Sequence, residues 1–186
     1  MRKILSKNKI YNECCLTTMS KMQDEFLDLT VTSPPYDDLR TYNNHVLDIK
    51  TEFNGYTFPF EKIAKELYRV TKQGGVVVWI VGDETVKGSE TGTSFKQALF
   101  FKEIGFNLHD TMIYQKSNPI PIQHNRYQPC FEYMFILSKG KPNAFNPIMK
   151  NTVTPSGKLT ITQREKDGSK NHGSGYGYKR NSKRYR

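Results

Sequence analysis

A hydroxyl, two prolines and an aromatic ring stand together at Ser33-Pro34-Pro35-Tyr36, directly after Thr32. Proline has no N–H, so the turn presents stiff backbone carbonyls without a competing proline donor beside them. Carbonyls, a serine oxygen and a tyrosine face together suit an amino group on a flat ring. The amine can donate to Ser33 and to a proline carbonyl while Tyr36 stacks on the ring. The same residues also suit a plain strand-ending turn, because two prolines cannot continue a ladder. No His or Lys stands in sequence range to mark Ser33 as an activated nucleophile, and no His, Asp and Glu set has metal-ligand spacing. Hydrolytic and phosphoryl-transfer readings therefore fall away.

Alternating elements must position this turn. An apolar run predicts a strand over residues 26–32, ending at the prolines. Pro59 suits a first helical turn, and Phe60, Ile63, Ala64, Leu67, Tyr68 and Val70 keep helical spacing up to Gly74-Gly75. Val76 to Val81 is a continuous apolar run, expected to be a strand buried on both faces. Residues 83–92 read as a loop. Thr93 or Ser94 can cap a helix carrying Phe95, Ala98, Leu99, Phe101 and Ile104, closed by Gly105. Leu108–Gln115 and Phe131–Ser138 read as two further strands, separated by a loop holding Pro119, Pro121 and Pro129. The order predicts an α/β sheet with a terminal antiparallel pair.

In such sheets ligands bind beyond the carboxyl ends of the strands. Ser33–Tyr36 sits at one such end and Asp83 at the next, where it either lines a pocket or caps a turn. Lys116 and Asn118 close a third strand and can meet phosphate or simply face solvent. Arg126 and Tyr127, with His124, place basic and aromatic groups in the proline-rich loop, a combination that can touch a sugar-phosphate backbone.

Composition agrees with a polyanionic partner: 28 Lys and Arg against 18 Asp and Glu give a net charge of +10. Cys14, Cys15 and Cys130 show neither disulfide nor zinc spacing, which points to a reducing cytoplasm. No apolar stretch reaches the ~20 residues of a membrane span, and Met1-Arg2-Lys3 leads into polar sequence rather than a signal core.

Taken in order, these segments resemble the amino-methylating DNA methyltransferases, whose motif IV reads S/D-P-P-Y/F/W. Asn8-Lys9-Ile10-Tyr11 before the first strand and Asp37-Asp38-Leu39-Arg40-Thr41-Tyr42 after the motif resemble the group in which the catalytic motif precedes the cofactor motif. So do Gly74–Asp83, Phe101–Lys116 and Phe131–Gly140, and the resemblance extends over residues 8–148. It implies a partial S-adenosylmethionine-dependent, Rossmann-like sheet with a terminal antiparallel strand pair. It implies catalytic roles for Ser33, Pro34, Pro35 and Tyr36, with cofactor contact at Asp83. Lys116, Asn118, Arg126 and Tyr127 become the DNA contacts. The substrate would be double-stranded DNA with its target base flipped, within a restriction-modification setting. Serine at position 33 is the more usual form among the N4-cytosine members; N6-adenine is the alternative target.

The sequence also departs from that family. The glycine-rich F-x-G-x-G cofactor loop does not occur, and Gly173-Ser174-Gly175-Tyr176-Gly177 follows no strand and opens no helix. Glu13 is out of step with the acidic residue that usually meets the cofactor adenine. Residues 1–150 are thus expected to be the catalytic half. Residues 151–186 are expected to begin a target-recognition region as a basic, disordered segment, with nine Lys and Arg against Glu165 and Asp167 over residues 156–186. Three readings stay open. The chain is completed by a second polypeptide carrying the F-x-G-x-G half, or it is an inactive truncated product, or it is a non-catalytic basic DNA-binding fragment.

Overall fold

The computed structural model describes residues 5–6, 8–36, 58–119, 121, 125–151, 161–164, 167–173 and 183–185. The segment Asp37–Tyr42 and His124, singled out above, lie outside them. The chain divides into two compact units, Met1–Ala144 and Phe145–Arg186.

The first unit contains α1 (Cys15–Lys21), β1 (Leu27–Thr32), α2 (Phe60–Val70), β2 (Thr71–Val81), β3 (Thr85–Val86), β4 (Ser89–Glu90), α3 (Thr93–Glu103), β5 (Asn107–Gln115) and β6 (Phe131–Ser138). Four strands form the main sheet in the order β1-β2-β6-β5. β1 and β2 are parallel, and β6 is antiparallel to both β2 and β5. The expected terminal antiparallel pair is therefore β5 with β6, and β6 is inserted between β2 and β5. This direction has a consequence for the site. The amino end of β6 lies on the same edge as the carboxyl ends of β1, β2 and β5.

Helix α2 is amphipathic as its spacing requires, burying Phe60, Ile63, Ala64, Leu67 and Val70. Together with Met19 of α1 and Ala98 and Phe101 of α3, these residues pack on Val77, Trp79, Val81, Phe135 and Leu137 of the sheet. Trp79 is the centre of this core. Its ring lies 5.0 Å from Phe101 and 5.9 Å from Phe60, and its indole N–H donates to Gln97 Oε1 at 2.7 Å.

Four local features differ from expectation, each for an identifiable reason. Helix α2 ends at Val70, before the glycines, and the chain passes at once into β2. There Thr71 Oγ1 donates to Leu67 O at 2.6 Å, and Gly74 at φ +78 accommodates a register break opposite Leu27 and Leu29. A Cβ on Gly74 would overlap the Asn143 side chain. The polar segment after Asp83 holds a tight β3–β4 hairpin, turned at Lys87 and Gly88, both with positive φ. Neither Thr93 nor Ser94 is the cap of α3: Gly92 is, in the left-handed region, while both residues are inside the helix. Helix α1 was not expected, since Cys-Leu-Thr-Thr-Met-Ser-Lys has poor helical propensity. Tertiary contacts make it. Met19 enters the core, and the Arg69 guanidinium donates to Met19 O at 2.8 Å and Met22 O at 3.1 Å at its carboxyl end.

The second unit contains β7 (Met149–Asn151), β8 (Ile161–Arg164), β9 (Lys170–Gly173) and β10 (Lys183–Tyr185). β7 pairs antiparallel with β10, and β8 with β9. Asp167 shapes the β8–β9 turn by accepting from the Ser169 N–H at 2.9 Å and hydroxyl at 2.7 Å. Among the described residues, no helix is long and apolar enough to cross a membrane.

Candidate functional site

Ser33 follows β1 directly, exposed at its carboxyl end, while Pro34 is buried and anchors the turn. Tyr36 folds back, half-buried, with its ring beside Gly82 at the carboxyl end of β2; a Cβ on Gly82 would sit 3.5 Å from that ring. Its hydroxyl lies 2.7 Å from Ser33 Oγ and donates to Glu132 Oε2 at 2.7 Å. The other oxygen of Glu132 meets the Lys116 ammonium at 2.9 Å. Lys116 itself is fixed just past β5, where its backbone N–H donates to Cys130 O at 2.8 Å.

Four side chains from three strand ends therefore form one connected line: Ser33, Tyr36, Glu132 and Lys116. Glu132 is the residue the sequence reading did not single out. Its side chain is only 16% exposed, and it stands second in β6, where an otherwise apolar run begins. A carboxylate in such a run was the available signal, because a buried charge needs a partner. The antiparallel insertion of β6 is what delivers it to this edge.

The remaining predicted residues are placed as follows. Asp83, just after β2, accepts from the Ser94 N–H at 2.7 Å and from the hydroxyls of Ser94 and Thr91. Its carboxylate thus caps the first turn of α3, which lacks a side-chain cap of its own. Asn118 is exposed and its Oδ1 accepts from Ser117 Oγ at 3.4 Å. Arg126 lies against the β3–β4 hairpin, donating to Gly88 O at 2.6 Å and approaching Glu90 at 3.4 Å. Tyr127 is fully exposed. Glu13, just before α1, accepts from Lys21 and Thr18 of that helix. The Lys21 hydrogen bond is the main reason its carboxyl is held below the usual range. Among the described residues no group of His, Cys, Asp and Glu could hold a metal ion.

A family model of DNA methylases that modify N6 or N4 positions matches residues 27–185. The chain belongs to this DNA methylase family. It is 65% identical over 120 residues to the orphan methyltransferase M.BamHII of Bacillus amyloliquefaciens, covering 64% of this chain and 41% of that protein. It is 28% identical over 150 residues to the type II methyltransferase M.SfiI of Streptomyces fimbriatus, covering 70% of this chain and 36% of the relative. The chain thus spans less than half the length of either relative. Among solved structures, the cytosine-N4-specific PvuII DNA methyltransferase aligns with a TM-score of 0.58 at 21% identity, over 71% of this chain and 49% of that one. The methylase sheet seen here is accordingly a part of a larger family fold.

Proposed function

We propose that this methylase chain presents the target amino group in methyl transfer to DNA, with cytosine N4 as the acceptor. The carrying observation is the assembly of Ser33, Tyr36, Glu132 and Lys116 at the carboxyl edge of the sheet. S-adenosylmethionine, when bound, supplies an electrophilic methyl group. The residues of this chain fit the opposite side of that transfer, the acceptor side. An exocyclic nitrogen is a poor nucleophile because its lone pair is delocalised into the ring. The Ser33 oxygen and the Pro34 carbonyl accept its two hydrogens and draw the nitrogen towards a tetrahedral form as positive charge develops. This is positioning and electrostatic preorganisation, without a covalent enzyme intermediate. The base leaves the duplex to reach the turn, and Tyr36 replaces its lost stacking. Lys116, Asn118, Arg126 and Tyr127 border the strand ends where the phosphate backbone would pass, and Asp83 fixes the adjacent β2–α3 connection.

In this reading the glycine-rich cofactor loop, which is not among these 186 residues, is brought by a segment outside them such as a second polypeptide, and the reaction takes place in the cytoplasm. Support for this completion comes from the sheet itself. Leu29 and Val31 register with Val76 and Val78 on the face away from the helices, and they are 59% and 62% exposed. Apolar residues on a parallel pair call for cover.

The test is methyl transfer by the purified chain, alone and mixed with a polypeptide carrying an F-x-G-x-G half, using labelled S-adenosylmethionine and mixed-sequence DNA. Nucleoside mass analysis is expected to give N4-methylcytosine from the mixture, abolished by Ser33→Ala. N6-methyladenine would move the assignment to adenine. Folded chain that binds DNA but transfers no methyl group in either format would favour a non-catalytic DNA-binding role.

A further inference from the structure

We infer that Glu132 is a positioning residue that locks the Ser33 hydroxyl into an acceptor-only state, so that the site selects an amino base over an oxo base. The inference rests on the amino-group reading above and adds to it the origin of the selectivity.

The hydrogens along the line of four side chains fix the direction of each bond. A lysine ammonium only donates and a carboxylate only accepts. Lys116 donates to Glu132 Oε1 at 2.9 Å, which leaves Oε2 to accept from Tyr36 at 2.7 Å. Tyrosine has a single O–H, and that hydrogen is committed to Glu132. The 2.7 Å contact between Tyr36 Oη and Ser33 Oγ then requires the hydrogen of serine. Every donor in the relay therefore points towards Glu132, and Ser33 turns only lone pairs to the exposed side of the strand end. A serine, which ordinarily can donate or accept, is converted into the equivalent of a carboxylate oxygen.

The chemical consequence is selectivity between functional groups. An amino base offers an N–H to those lone pairs; an oxo base offers another lone pair and is repelled. Cytosine is so distinguished from uracil, and adenine from hypoxanthine, at the Ser33 oxygen. Glutamine at position 132 reverses the relay. Its carbonyl oxygen turns to Lys116 and its NH₂ faces Tyr36 Oη, which releases the tyrosine hydrogen to Ser33. The serine hydrogen then points outwards.

The test is binding of the full chain to short oligodeoxynucleotides of deoxycytidine and deoxyuridine, and of deoxyadenosine and deoxyinosine. Salt is set high enough to suppress phosphate-only binding. The wild-type chain is expected to favour the amino member of a pair by about tenfold or more. Glu132→Gln brings that ratio below about threefold, as does Tyr36→Phe, which keeps the ring and removes the relay oxygen. Thermal unfolding of both variants verifies that they are folded, and either one suffices should the other fail to fold. On a Ser33→Asp background, where the acceptor needs no relay, Glu132→Gln is expected to leave the ratio unchanged. Equal ratios in wild type and Glu132→Gln overturn the relay, as does a wild-type chain without preference. A loss that is as large on the Ser33→Asp background also overturns it, since Glu132 would then act through the fold alone. Preference with the expected variants but no methyl transfer under any complementation would leave the relay standing and remove the catalytic reading. Methyl transfer with unaltered ratios would do the reverse.

Discussion

The two faces of the sheet carry the same kind of side chain in opposite surroundings. On one face Val77, Trp79 and Val81 are between 0% and 1% exposed, packed against residues from all three helices. On the other, Val76, Val78 and Ile80 are half-buried, and beside them Leu29, Val31 and Met112 are 59%, 62% and 45% exposed. A strand written as unbroken Val-Val-Val-Trp-Ile-Val asks for cover on both sides. Among the described residues one cover is present. The contrast teaches that apolar periodicity specifies what a sheet needs, while the chain at hand determines how much of that need is met.

The largest effect should come from breaking the covered face. Trp79→Ala removes the ring at the centre of the aromatic cluster and leaves Gln97 Oε1 without its donor. A loss of about 3–5 kcal/mol is expected from the cavity alone, measured by urea unfolding. A loss below about 1 kcal/mol would mean that the helices are not firmly seated on the sheet.

Next is the fastening of α1 to that face. Arg69 donates to two backbone carbonyls and pairs with Glu66 at 2.6 Å and Asp24 at 2.7 Å. Glu66 first, then Asp24, raise its already high proton affinity. Arg69→Met leaves Met19 O and Met22 O without this donor, at a cost of about 1–3 kcal/mol. Amide exchange should rise most in residues 15–22. Uniform change across the unit would contradict the assignment of Arg69 to α1.

The open face gives the complementary experiment. Val31→Asp is expected to alter the stability of the chain by no more than about 0.5 kcal/mol, because the side chain already faces water. In a mixture with a polypeptide carrying an F-x-G-x-G half, the same change should abolish any complementation that the unsubstituted chain gives, if that half covers this face, since a charge would then be carried into the contact. Destabilisation on the scale of Trp79→Ala would show that the face is already covered, and the contrast between the faces would fail.

Most of the fold was legible because its signals are local. Apolar runs marked β1, β2, β5 and β6, and helical spacing marked α2 and α3. What escaped depended on contacts distant in sequence. Helix α1 is held by Arg69, about fifty positions away, and the side chain that caps α3 is Asp83 rather than Thr93 or Ser94. The candidate site divides the same way. The Ser33–Tyr36 turn was readable from residue types, whereas Glu132 acquires its part only because β6 runs antiparallel and brings its first residues back to that turn.

The smallest effect lies at the margin of the covered face, at the entry to α1. Glu13 accepts from Lys21 Nζ at 2.6 and 2.7 Å and from Thr18 Oγ1 at 2.8 Å. Lys21 is the first cause of its lowered pKa and Thr18 the second. A carboxyl with a depressed folded pKa contributes stability that is fully present above its unfolded pKa, and that is lost as pH falls through the folded value. Glu13→Gln should therefore lower the unfolding temperature slightly at neutral pH, and the gap to wild type should close as the solution is acidified. The position is solvated, so added salt should shrink the gap as well. A difference that persists unchanged into acid would assign the effect to packing around α1 instead of to the charge, and would place Glu13 with the covered face rather than at its edge.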